Sequence, residues 1–338
     1  MNIKVLYYDS DKSYYDLAPI VTSIEWSGEI DALHRTAVIN LQNTQELLTR
    51  HIMPSLGKLV VISYNGTEII RGYVLTVPID GTGATSMTVV DANWYLTKNE
   101  DMRLFKRKRA DQIIREICTN FGIPVGSIAN TGYVLPKMSF VDGATLKDIF
   151  LQSITETRKR NGRAFAITST KGKLNLVERS KQVTPWTIEH GITMTGVSLT
   201  RTMEGVYTQV KAYGDLEDGR VIGTANNQSL ISKYGLMQKV ESYSGETPTQ
   251  SAVNALARER LGELSVIEDE IEVSSALGEV TAISGTSIYV HNQLTTVIGG
   301  YYIITDTHTI DSKGHSMTLG LSKTNKLPEM VYSPPKET

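Results

Sequence analysis

The segment Gly72-Tyr73-Val74-Leu75-Thr76, a loop with Asp80-Gly81, and then Ser86-Met87-Thr88-Val89 has a counterpart near the other end of the chain. There the order is Gly300-Tyr301-Tyr302-Ile303-Ile304-Thr305, then Asp311 and Gly314, then Ser316-Met317-Thr318-Leu319. Strand-loop-strand units favour residues of these kinds. Recurrence of Gly-Tyr and Ser-Met-Thr in the same order at nearly equal separations reads as a duplicated strand-loop-strand unit. Such a chain is β-rich at both ends, with a different kind of segment between.

The strands around the first copy fit this. Val21-Thr22-Ser23-Ile24-Glu25-Trp26 and Thr36-Ala37-Val38-Ile39-Asn40-Leu41 alternate cleanly. Lys58 to Tyr64 and Glu68 to Val74 flank Asn65-Gly66, the strongest short hairpin signal, since both turn residues must take positive φ. Residues 1–100 therefore predict a first β domain. From residue 101 the period changes. Ala110 to Phe121 carries apolar residues at helical spacing and is stopped by Gly122 and Pro124. A second helix is expected from about Leu146 to Lys159, then a hairpin turning at Lys171-Gly172. Residues 101–190 thus read as a small α+β insert. The β pattern returns over 191–325, interrupted by a helix at about 249–264, and 326–338, with Pro334-Pro335, reads as an extended tail. The fold class is mainly β with an α+β insert.

At 338 residues the chain exceeds what one core usually holds. A formal net charge of -2 provides no global positive field for DNA or an anionic membrane. The single cysteine, Cys118, rules out an intramolecular disulfide and sits in an apolar helical run, so a buried, inert thiol is expected. No stretch approaches the ~20 apolar residues of a membrane span. The start, Met1-Asn2-Ile3-Lys4-Val5, is strand-like, and folding in a reducing cytoplasm is the expectation.

A search for chemistry returns none. His34, His51, His190, His291, His308 and His315 form no metal-binding or catalytic pair and read as solvated or core histidines. Asp9-Ser10-Asp11-Lys12-Ser13 begins like a calcium loop, but Tyr14 stands where glycine is needed and Ile20 where glutamate is. Gly81 to Ser86 lacks the lysine of a phosphate loop and reads as a hairpin loop. Glu268-Asp269-Glu270 would alternate across a strand, which does not suit paired catalytic carboxylates, and a solvated edge or turn is expected. The basic run Lys106-Arg107-Lys108-Arg109 is the densest charge feature. It reads as a solvated helix flank or as a surface meeting an acidic partner or a channel. Sixteen tyrosines against five phenylalanines favour half-buried β surfaces and protein interfaces. No catalytic, cofactor-binding or metal residue is assigned.

Taken in order along nearly the whole chain, several stretches resemble the baseplate-hub proteins of contractile tails. These are Ile24-Glu25-Trp26-Ser27-Gly28, Asp91 to Asn99, Ile113 to Pro124, Ile231-Ser232-Lys233-Tyr234-Gly235, and Gly300 to Ile303 with His308 and Met317-Thr318-Leu319. The likeness is to the XkdQ/YqbQ type of Gram-positive phages and defective prophages, related to late-control D and T4 hub proteins. The resemblance implies two tail-tube-like β-barrels flanking the α+β region, in a homotrimer that joins a six-fold tail tube to a three-fold central spike. It implies the tube, the spike, other baseplate proteins and the tape measure protein as partners, and DNA only as transient channel cargo. It places the protein at the baseplate centre of a virion or tail-like particle, with no enzymatic activity, no cofactor and no membrane insertion. Two rival readings are a cell-wall carbohydrate-binding tail module and a wall hydrolase, the latter disfavoured by the missing motifs.

Overall fold

The computed structural model describes residues 2–10, 13–42, 52–78, 84–243, 247–324, 327, 328, 330 and 332. The loop Asp80–Gly83, His51, Asp11, Lys12 and the Pro334-Pro335 segment lie outside them. The chain forms two compact units, residues 1–198 with 271–338, and residues 199–270.

The larger unit begins with β1 (Ile3–Ser10), β2 (Ser13–Asp16), β3 (Val21–Glu29), β4 (Arg35–Gln42), β5 (Leu59–Tyr64), β6 (Thr67–Thr76) and β7 (Ala84–Asp91). Asn65 and Gly66 both have positive φ, 48° and 83°, so the β5–β6 hairpin turns as its sequence predicts. A 3-10 helix, Ala92–Thr97, follows, its first turn capped by the Asp91 side chain, which accepts from Asn93 N.

The α+β part comprises β8 (Glu100–Arg109), α1 (Ala110–Asn120), β9 (Val125–Ile128), β10 (Val134–Thr145), α2 (Leu146–Asn161), β11 (Phe165–Thr170) and β12 (Lys173–Glu178). Both helices stop where the chain reaches a glycine in the left-handed region, Gly122 (φ 64°) and Gly162 (φ 71°). Thr145 caps α2 by accepting from Asp148 N at 3.1 Å. Ile113, Ile114 and Ile117 of α1 and Ile149, Phe150 and Ile154 of α2 share a core with Phe105, Met138, Phe140, Leu174 and Leu176. Each such buried side chain contributes roughly 1.5–3 kcal/mol.

The chain continues through β13 (Val183–Glu189) and β14 (Met194–Thr202) into the smaller unit. That unit holds β15 (Gln209–Leu216), β16 (Gly219–Asn226), α3 (Gln228–Tyr234), β17 (Gln238–Ser242) and α4 (Gln250–Leu264). Its sheet has the order β16-β15-β17, with β15–β16 antiparallel and β15–β17 parallel. Helix α4, capped by Thr249, covers one face through Val253 and Ala257, against Ala212. Gly214 and Gly223 permit this approach, because a Cβ there would meet Pro248 and Asn254 at 2.2 and 2.5 Å. The helix expected at about 249–264 is α4, whereas α3 was not legible: seven residues without a buried face carry no helical period.

The last strands are β18 (Glu268–Ser275), β19 (Ser287–Asn292), β20 (Val297–Asp311) and β21 (Gly314–Ser322). The first strand set pairs in the order β3-β4-β7-β6-β5-β1, and the last in the order β14-β18-β21-β20-β19-β13. With β2 set aside, which pairs with β1 at the sheet edge and has no counterpart in the last set, the two sequences of neighbours coincide when numbered by chain order within each set. One pairing differs, since β1–β5 is antiparallel and β13–β19 parallel. The repeated residues lie on matching hairpins, β6–β7 and β20–β21, each with a register shift in its first strand, at Val74/Thr76 and at Ile303/Thr305. Met87, Val89, Met317 and Leu319 are all buried. The smaller unit is inserted between β14 and β18, where the first set has only the short 30–34 connection between β3 and β4.

The chain is mainly β with few helices, as its sequence predicts. Among the described residues no closed barrel forms. The two strand sets instead share one sheet, because β20 pairs antiparallel with β3 along Thr305–Ile310.

Candidate functional site

The β3–β20 pairing is where the two strand sets meet, and it carries the most concentrated buried polar chemistry of the larger unit. Arg35, at the start of β4, reaches across β3 to β20 and grips Asp306 with both guanidinium nitrogens, Nη1 at 3.0 Å from Oδ1 and Nη2 on Oδ2. Its side chain is 12% exposed and that of Asp306 0%. Gly28 makes this possible: a Cβ there would lie 2.3 Å from Arg35 Nη1. Asp306 also accepts from Ser284 N at 2.6 Å. Burial alone would raise its carboxyl, but the Arg35 guanidinium and His308 hold it well below the usual carboxylate range.

A second carboxylate braces the same arginine from the backbone side. Asp91 accepts from Arg35 N at 3.1 Å and from Asn93 N at 2.9 Å. Burial pushes the Asp91 carboxyl up to about 7, those donors and the arginine charge offsetting only part of the effect.

The aromatic side of the junction is built on Trp26, whose partner across the strands is His308. Their rings stack with centroids 4.7 Å apart and planes 7° apart. His308 Nε2 lies 3.1 Å from the Ala282 carbonyl, which can only accept, so Nε2 carries the proton. Nδ1 then accepts from His315 Nε2 at 3.1 Å. This tautomer leaves His315 Nδ1, which is buried, without a hydrogen-bond partner. Burial, with His308 adding to the effect, pushes the His315 imidazole down to about 4. His315 is thus a neutral packing group near pH 7, the core reading expected of it.

The outward side of the shared sheet is of a different kind. Strand pairings align Ser274, Thr318, Thr307, Ser27 and Thr36 in one row across five strands. The next row is Ser316, Thr309, Glu25, Val38 and Thr88, and a third holds Ser23, Asn40 and Ser86. All are exposed or half-buried. These rows carry no lysine, arginine or aromatic side chain, and nine of the ten residues in the first two rows are hydroxyl-bearing or apolar. The face spans both strand sets without interruption at the junction.

The basic run is divided by the structure. Lys106 to Arg109 form the end of strand β8 and lead directly into α1, with Arg109 at its N-cap. Lys108 pairs with Glu116, and Arg109 binds Asp111 through two nitrogens at 2.9 and 3.0 Å. Lys106 and Arg107 remain exposed. The acidic triplet 268–270 also lies in a strand, β18, where Asp269 pairs with Arg201 at 2.9 Å. Burial pushes the Cys118 thiol up to about 12. Among the described residues no cluster of three histidine, cysteine or acidic side chains is placed to hold a metal. Among them, too, no helix is long and apolar enough to cross a membrane.

Arg35 and Asp306 were not singled out by sequence, and Asp91 entered only as the first residue of the resembling stretch Asp91 to Asn99. No local motif marks them, since Arg35 and Asp306 come from opposite ends of the chain. Trp26 and His308 were legible only as members of the resemblance.

A fold of this kind, with a β repeat enclosing an α+β segment, is that of prophage tail proteins. The 43 kDa tail protein of prophage MuSo2 from Shewanella oneidensis superposes with a TM-score of 0.71 over 95% of this chain and 98% of that one, at 14% identity. The E. coli c3393 protein, described as a type VI secretion component structurally similar to T4 tail proteins gp27 and gp5, gives 0.55 over 99% of this chain and 79% of that one, at 10% identity. At the level of sequence, the chain belongs to the family described as YQBQ-like, which it matches over residues 24–322. It is 32% identical over 279 residues to the uncharacterized protein YqbQ of Bacillus subtilis (strain 168), covering 82% of this chain and 85% of that one. The phage-like element PBSX protein XkdQ of the same organism is 31% identical over 278 residues, with the same coverage. The family expected from the sequence is therefore the one found.

Proposed function

We propose that this chain is a non-enzymatic structural component of a phage tail or tail-like particle, acting as the hub between the tail tube and the central spike. The observation that carries the reading is the repeated strand order within one sheet. A trimer of such chains presents three-fold symmetry as whole subunits and approximate six-fold symmetry as strand sets, which suits a six-fold tube on one side and a three-fold spike on the other. The relationship to a phage-like element protein and the fold shared with a prophage tail protein support the tail context.

Within this reading the hydroxyl-lined face is the channel wall. Short neutral side chains and scattered carboxylates offer a phosphodiester chain no cation to hold it, so DNA would pass as transient cargo without binding. The division into a first β domain (1–100), an α+β part (101–190), a second β domain (191–325) and a tail (326–338) belongs to the same proposal.

The test uses the full chain with the tube and spike proteins of its own particle. Trimers that join both proteins, and particles that fail to assemble without this chain, are the expected results. Normal particles formed in its absence would overturn the reading.

A further inference from the structure

The outward face of the β8–β10 ribbon is apolar at its centre and cationic at its edge. Met102 is 70% exposed, Leu104 49% and Val141 51%, all on the side away from Phe105, Met138 and Phe140. Lys106 and Arg107 continue the same strand into solvent. Lys106 stands directly opposite Lys137 in the register. The exposed cations Lys106 and Arg107 beside an apolar strip suit a partner that presents acidic side chains next to an apolar one. The centre lacks the aromatic residues on which nucleic-acid bases stack, and exposed Met, Leu and Val with cations along one edge is the pattern of a protein contact.

A segment with the complementary pattern exists in this chain. The β15–β16 hairpin turns through Glu217 and Asp218, between the paired residues Leu216 and Gly219. Leu216 is 45% exposed, Glu217 and Asp218 are exposed, and among the described residues neither acid is held by an ion pair. Asp215 at the base of the turn is already bound to Arg220 at 2.6 Å. The tip is thus one apolar side chain flanked by two uncommitted carboxylates.

Resting on the hub reading, we infer that the β8–β10 face docks the Leu216–Asp218 turn of a second copy of this chain. Leu216 enters the Met102, Leu104 and Val141 centre, and Glu217 and Asp218 meet Lys106 and Arg107. The two surfaces differ, so the contact is heterologous and repeats head to tail until the ring closes.

Charge exchange in the full-length protein tests this, with association read by sedimentation and folding by circular dichroism. Lys106→Glu with Arg107→Glu, and separately Glu217→Lys with Asp218→Lys, should each weaken self-association by about tenfold or more without altering the fold. The four changes together should restore it, and high salt should weaken the wild-type contact. A wild-type chain that never self-associates, unchanged association in either paired variant, or no restoration in the combined variant would each overturn the inference. So would loss of binding to a double-stranded DNA probe in Lys106→Glu/Arg107→Glu with self-association intact. The hub reading fails separately, by particles assembling normally without the chain.

Discussion

Arg35 and Asp306, 271 residues apart in the chain, form a buried two-nitrogen ion pair across β3 that ties the first strand set to the last. Backbone pairing between β3 and β20 runs beneath it, so the side-chain clamp and the sheet hold the same junction. Breaking a buried pair by removing one partner costs far more than the pair contributes, because the remaining charge is left desolvated.

Asp306→Ala should therefore destabilise the larger unit by about 3–5 kcal/mol. Arg35→Met combined with Asp306→Leu should recover most of that loss. Denaturant unfolding of the single and combined variants measures both. A single-variant loss within experimental error of zero would mean that the junction is held by the strands alone.

His315 gives the protein an acid-side weakness. Its folded pKa, about 4, lies below the ordinary 6.5, so between those values the unfolded chain binds the extra proton and the folded chain does not. Stability contributed by the neutral imidazole is complete above about pH 6.5 and is lost as pH falls toward 4, a change on the order of 3 kcal/mol. His315→Gln should flatten this slope. Unfolding midpoints of wild type and variant near pH 7 and near pH 4.5 decide it.

Asp91 works in the opposite direction. Its folded pKa, about 7, is raised above the ordinary 3.8, so the folded chain holds the proton across that range and stability declines as pH rises through it. Asp91→Asn should remove this decline. It should also lower stability at all pH values, because one carboxamide oxygen cannot replace both acceptors used by Arg35 N and Asn93 N. The wild-type-minus-variant difference in unfolding free energy against pH is the measurement.

The two glycines that open the repeated motif are not equivalent. A Cβ on Gly72 would sit 2.1 Å from the Val90 carbonyl oxygen, a backbone atom that cannot step aside, while nothing lies within 4 Å of one on Gly300. Gly72→Ala should cost about 2 kcal/mol or more, and Gly300→Ala should stay within about 0.5 kcal/mol of wild type. Thermal unfolding of the pair tests the difference in one experiment.

Cys118 should be silent toward thiol reagents in the folded protein, since its thiol is buried and held protonated to about pH 12. Modification should begin only with unfolding, so its rate against denaturant should track the unfolding curve. Rapid labelling under native conditions would show that α1 opens locally.

Period, turn chemistry and the Gly-Tyr and Ser-Met-Thr repeat were sufficient to predict the β–α+β–β order, helices α1, α2 and α4, and the Asn65-Gly66 hairpin, while the family was legible only through the resembling stretches. These are short-range or pattern properties: they depend on which faces of a strand or helix are apolar and on which residues tolerate positive φ. Joining the two strand sets into one sheet depends instead on β3 accepting β20 along its free edge, and no residue near Val21 announces a partner near Ile310. The same holds for the Arg35–Asp306 clamp, for the stacking of Trp26 on His308, and for the division of the basic run into paired Lys108 and Arg109 and exposed Lys106 and Arg107. Sequence determined which segments would seek a sheet and which a helix. Only the tertiary structure decided which edges met, because edge pairing and buried charge compensation are contacts between residues whose closeness in space has no counterpart along the chain.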